Sequence, residues 1–86
     1  MEPKLLLSHI AAIAHEGIRE LRRRQSDFSL NSWDGISWRV RQKSVDAVRF
    51  ILKTEDAPFR NPLDLSPAEA RLFRSTVRTL SRYLNA

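Results

Sequence analysis

Apolar residues recur at three- and four-residue spacing in three separate stretches of this chain, and that period admits helices and little else. The first stripe is Leu6, Ile10, Ile13 and Leu21, with Leu7, Ala14 and Ile18 beside them. The second is Trp38, Val45, Val48 and Leu52, with Ile51 alongside, and the third is Phe73, Val77, Leu80 and Leu84. The chain has only two glycines and four prolines in 86 residues, so little of it is built for the turns of a strand meander. A hydrophobic share of 42% against 29% charged residues is that of a globular domain rather than a disordered one. At this length one core is just sufficient, so residues 1–86 are expected to form a single domain.

Capping chemistry sets the expected boundaries. Pro3 is tolerated in a first turn, where its missing N–H is no loss, and Glu2 complements the positive end of the dipole. Arg22, Arg23 and Arg24 suit the carbonyl end, so a helix is expected over 3–24. Gly17 inside it costs roughly 1 kcal/mol against alanine and marks a close approach by another helix or a ligand. Ser37 can cap a second helix over 38–53. Ser66-Pro67-Ala68-Glu69 is a capping box with proline at the first helical position, and Leu65 before it can form half of a hydrophobic staple. A third helix is therefore expected over 66–84. The connections are long. Residues 25–36 hold three apolar pins, Phe28, Leu30 and Trp33, and a turn signal at Asp34-Gly35. Pro58 and Pro62 deny the second connection regular structure, while Phe59 and Leu63 are expected to tuck it against the core. The expectation is all-α, a compact three-helix domain with two long loops.

Several function classes lack their residues. Without cysteine there is neither a disulfide framework nor a thiolate metal site. His9 and His15, six apart, do not form a helical ligand pair, and no metal or cofactor is expected. No serine sits in a glycine-flanked elbow, and no glycine-rich loop is present to cradle phosphate, so an enzyme is not expected. No run is apolar enough to span a bilayer, and Ser8 and His9 break Leu5-Leu6-Leu7, so a cytoplasmic protein without a membrane partner is expected.

The charge balance points to anions. Fifteen basic residues against ten acidic give a net charge of +5, nearly all from arginine. Arginine's planar fork suits phosphate and carboxylate and stacks on rings, although a GC-rich coding sequence also enriches it. Arg71, Arg74, Arg78 and Arg82 repeat along the third helix as phosphate contacts would, but a long segment with Asp64 precedes that helix. That makes a DNA-binding regulator the weaker reading and nucleic acid a disfavoured partner. His15, Glu16 and Arg19 lie within little more than one turn and form either a ligand-holding cluster or a solvated face with a local ion pair. Trp33 is either a stacking platform or packing. Trp38, in phase with Val45, is expected in the core.

A resemblance joins these pieces. Ile13-Ala14-His15-Glu16-x-x-Arg19, then Ser32-Trp33, then Arg41-x-x-Ser44-x-x-x-Val48-x-Phe50, resembles the ryanodine-receptor-type domain over the first half of the chain. In the second half Pro67-Ala68-Glu69 echoes that family's Pro-Glu. Arg71 and Phe73 stand where its His and Trp would be, and its closing Gly-Trp is missing. The resemblance implies a non-catalytic docking or ligand module. Its channel versions are associated with adenine nucleotides, and its stand-alone versions occur in phages and bacteria. The expectation is a small protein that captures a nucleotide-derived signal without turnover, as an anti-defence protein in the host cytoplasm would. Arg19, Arg41 and Arg71 would hold phosphate, Trp33 would stack, Glu16 would accept from a ribose hydroxyl and His15 would orient the ligand, with Trp38 in the same ligand-facing stretch. A domain this small does not easily enclose a dinucleotide, which favours a pocket shared in a homodimer or larger oligomer. The alternative is a phage or plasmid inhibitor that docks on an acidic host protein.

Overall fold

The computed structural model describes residues 3–53 and 63–84. Three helices make up almost all of it: α1, Pro3–Arg24; α2, Trp38–Lys53; and α3, Pro67–Leu84. A single 3-10 turn, Trp33–Gly35, interrupts the first connection. No strand occurs among the described residues, and the fold is the three-helix all-α domain that the periodicity predicts. No described helix is long and apolar enough to cross a membrane. Glu2, Pro58, Phe59 and Pro62, given roles above, lie outside the described residues.

Local chemistry explains each helix end. The arginines at 22, 23 and 24 fill the last turn of α1, where the carbonyl end favours cations. That turn closes in a Schellman arrangement, with Asp27 N–H donating to Arg22 O at 2.9 Å and Ser26 N–H to Arg23 O at 3.0 Å. Ser26 occupies the left-handed position usually given to glycine, at φ 62°. The Asp27 carboxylate then accepts from the Ser29 N–H and hydroxyl at 3.0 and 2.6 Å, which turns the chain back along α1. Ser37 caps α2 weakly, its Oγ accepting from Val40 N–H at 3.4 Å. The box at α3 is complete: Glu69 N–H donates to Ser66 Oγ at 3.2 Å, and Ser66 N–H to Glu69 Oε1 at 2.9 Å.

α1 packs against both other helices, which also touch each other. The core is Ile10, Ala11, Ala14 and Ile18 of α1, Val45, Ala47, Val48 and Ile51 of α2, Phe73 and Val77 of α3, and Leu65 just before it. Leu30, Trp33 and Leu63 close its edges from the connections. Ala11 and Ala14, fully buried, let the helices come close. Gly17 faces Leu72 of α3, whose Cδ2 would lie 3.8 Å from an added Cβ. The close approach at Gly17 is therefore another helix, and it leaves room for a methyl group.

Three apolar residues depart from the expected stripes, and one expected loop pin departs from its place. Ile13 is 50% exposed because the buried stripe centres on Ala14 and Ile18, and the neighbouring position points about 100° away. Trp38 has the phase of Val45 but is 69% exposed, since burial on α2 begins only at Ser44, beyond its first turn. Leu52 is exposed where Ile51 takes the inward position. Phe28 is 70% exposed and lies under the Arg23 guanidinium, 5.7 Å from its ring centroid, rather than pinning the loop inward.

Two substitutions follow from this backbone. Ser26→Gly is expected to stabilise the domain by about 1 kcal/mol, because a left-handed residue with a Cβ is strained. Gly17→Ala is expected to gain up to about 1 kcal/mol of helix propensity, with only an ordinary contact at Leu72. Urea unfolding checks both, and a loss of stability in either would contradict the geometry.

Candidate functional site

The chain between α1 and α2 runs back along α1, and the polar cluster on that helix meets its backbone. Phe28 lies beside Arg23, Leu30 beside Arg19, and Asn31 and Trp33 beside His15 and Glu16. His15 Nε2 lies 2.8 Å from Asn31 O; because a carbonyl only accepts, that nitrogen carries the proton. Arg19 donates from Nε to Leu30 O at 3.3 Å and from Nη1 to Glu16 Oε2 at 3.3 Å. The other Glu16 oxygen accepts the Trp33 N–H at 3.1 Å. Three side chains of one helical turn thus satisfy three backbone groups of one loop. The loop cannot use a ladder for these groups, and leaving them unpaired near the core would be costly.

The rings follow the same arrangement. Trp33 is half-buried and meets the buried His15 edge-on, at 5.7 Å between centroids and 64° between planes. The hydrogen bond from the Trp33 backbone, helped by Arg19, holds the Glu16 carboxyl below its ordinary pKa against the opposing effect of burial.

Of the residues the sequence singles out, His15, Glu16, Arg19 and Trp33 come together. Arg41 works at the far end of the same connection, donating from Nη2 to Ile36 O at 3.3 Å, and its Nε is buried without a partner. Trp38 stands exposed in the first turn of α2, with Arg39 exposed beside it. Arg71 is exposed on α3, and no hydrogen bond or ion pair joins it to the cluster. Among the described residues no group of three His, Cys, Asp or Glu side chains is placed to hold a metal ion.

One pair escaped the sequence reading. Arg22 donates from Nε to Glu69 Oε2 at 2.6 Å and from Nη2 to Oε1 at 3.3 Å. The capping carboxylate of α3 is thereby also the ion-pair partner of α1, across 47 residues that offer no sequence signal. The Arg22 bond, then those from Ser66, hold the Glu69 carboxyl below its ordinary pKa, and Glu69 raises that of Arg22.

One space touches these residues and another lies apart from them. A cavity of about 80 Å³ sits between the helices, walled in part by His15, Arg22, Val40, Ser44, Leu65 and Phe73. It is well below the roughly 300 Å³ and more of drug-sized ligand pockets. An open groove of about 310 Å³ runs between Ser8 of α1 and Gln42, Val45 and Arg49 of α2, and none of the expected ligand residues lines it. No known protein family, curated protein or solved structure matches this chain.

The depressed carboxyls of Glu16 and Glu69, with that of Asp27 held low by its bonds from Ser29, set an acid dependence. A group whose pKa is lower folded than unfolded contributes stability above its unfolded pKa, near 4.3 for glutamate, and loses it as pH falls through the folded value. Urea midpoints are expected to be flat above about pH 5 and to drop below it. Glu69→Ala removes a cap and a charge-assisted pair together, and is expected to cost about 2–4 kcal/mol at neutral pH. A midpoint for Glu69→Ala equal to that of the unaltered protein would show that the pair contributes nothing.

Proposed function

We propose that the protein is a non-catalytic binding module that captures a small nucleotide-like ligand, a flat ring bearing an anionic group, on the surface around Trp38. The observation that carries this reading is the exposure of the Trp38 indole in the first turn of α2, beside the exposed Arg39. An indole held out in water beside a cation is the arrangement that stacks on a base while the guanidinium meets phosphate. Trp33, half-buried against His15, is less available for that role. The hydrogen bonds of His15, Glu16 and Arg19 go to the chain's own loop, so in this reading they position the Trp33–Trp38 segment instead of touching the ligand.

The resemblance of the His15-Glu16-x-x-Arg19, Trp33 and Arg41-x-x-Ser44 pattern to the ryanodine-receptor-type domain supports the same class of ligand. Capture without turnover fits a protein that removes a nucleotide-derived signal, as an anti-defence protein acting in a host cytoplasm would. The interior cavity is too small to enclose such a ligand, so a second copy of the chain would supply the other wall.

Calorimetry with a panel of linear and cyclic nucleotides tests this reading. Trp38→Ala is expected to weaken binding by about 1–3 kcal/mol with an unchanged circular dichroism spectrum. Trp33→Ala is expected to lower the unfolding midpoint as well. Undiminished binding by Trp38→Ala would place the ligand elsewhere. Failure of every nucleotide to bind, with capture of an acidic protein instead, would favour the inhibitor reading.

A further inference from the structure

The outer face of α3 is a ridge of hydrogen-bond donors that neither the loop clamp nor the Trp38 surface uses. The exposed side chains from residue 71 to residue 83 are Arg71, Ser75, Thr79, Arg82 and Tyr83. Each carries an N–H or O–H donor. Residues 70–84 contain no carboxylate, and the acid that opens the helix, Glu69, is buried against Ser66 and Arg22. Arg71, Ser75, Thr79 and Arg82 follow one another at four-, four- and three-residue steps, so they line one side of the helix. At 1.5 Å per residue the ridge is about 16 Å long. Arg74 and Arg78 flank it half-buried and already engaged, so the free charge on it belongs to Arg71 and Arg82.

We infer that this ridge is a docking surface for the phosphodiester backbone of a nucleic acid. Arginine, serine, threonine and tyrosine side chains are those that donate to phosphate oxygens and fix a protein on a strand. A guanidinium also meets a phosphate through two parallel hydrogen bonds. At one charge per 3.4 Å along each strand, a ridge of about 16 Å spans about four to five phosphates. The face does not suit a protein partner, because such interfaces centre on desolvated apolar or aromatic anchors and the only ring here, Tyr83, lies at one end. The ridge lacks the Asn and Gln side chains that read adenine edges; its arginines reach guanine edges as well as phosphates, and comparison with a scrambled sequence separates the two contacts. The net charge of +5 supplies the attractive field. This surface goes beyond the nucleotide reading and needs nothing from Trp38.

The experiment is fluorescence anisotropy with the full chain and labelled 20-mers of duplex DNA, duplex RNA and single-stranded DNA, from about 25 to 200 mM salt. An acidic peptide of equal charge is the competitor. Binding is expected at low salt, with equal affinity for a scrambled sequence and a log–log salt slope of about −2 or steeper. The three arms identify which nucleic acid fits best. Arg71→Gln with Arg82→Gln is expected to weaken binding about tenfold or more at 50 mM salt and to reduce the slope by about two. Ser75→Glu, an exposed change that sets a carboxylate in the ridge, is expected to weaken it too. Circular dichroism confirms that each variant is folded. Absence of binding at low salt would overturn the inference. So would an unchanged slope in the folded double variant, or displacement by the peptide more effective than by unlabelled nucleic acid.

Discussion

The backbone of residues 30–33 passes close to the core with only the 3-10 turn's bond from Gly35 N–H to Ser32 O to satisfy it locally, and the C-terminal half of α1 pairs three more of its groups. His15 and Arg19 donate to its carbonyls, and Glu16 accepts its one engaged N–H. One turn further on, Arg22 takes the Glu69 carboxylate that also caps α3. Residues 15, 19 and 22 follow at four- and three-residue steps, so they form one polar seam along the helix. That seam fixes the first connection and the start of α3 to the same rigid element. The apolar core explains why three helices pack together; the seam explains how residues 30–33 and the first turn of α3 are held to α1.

The seam also decides what remains free. A half-exposed Glu–Arg pair is worth little as a surface salt bridge. Here Glu16 and Arg19 matter because they pair backbone groups of the loop, the Trp33 N–H and the Leu30 carbonyl. With His15, Glu16 and Arg19 committed to the loop, the aromatic and cationic side chains exposed among the described residues include Trp38 and Arg39 on α2, Phe28 under Arg23, and Arg71 and Arg82 on the outer side of α3. The domain thus uses its polar seam, beside an apolar core, to build the fold and leaves aromatic and cationic side chains exposed.

The parts of this arrangement that depend on local chemistry were legible in the sequence. The period of the apolar residues located the three helices, and the serines at 37 and 66 with Glu69 located two starts. The position of a side chain along its helix was not legible. Trp38 has the phase of the core but lies beyond its edge, and Ile13 lies one step off the buried stripe. The polar cluster was visible as residues but its partners were not, because His15 and Arg19 bind carbonyls, which every residue carries alike. Arg22 and Glu69 were each explained by their own helix end, so nothing in the sequence suggested that they meet.

The central claim is that the His15–Glu16–Arg19 turn holds the chain's own loop. Amide hydrogen exchange at Trp33, read by nuclear magnetic resonance, tests it most directly. A single N–H outside the long helices reports one side-chain bond, from Trp33 to Glu16. The account predicts that this amide is protected in the unaltered protein and loses about tenfold or more of its protection in Glu16→Ala, while the amides of Ala14, Val48 and Val77 in the core keep theirs. A Trp33 amide that exchanges freely in the unaltered protein, or keeps its protection in Glu16→Ala, would contradict it.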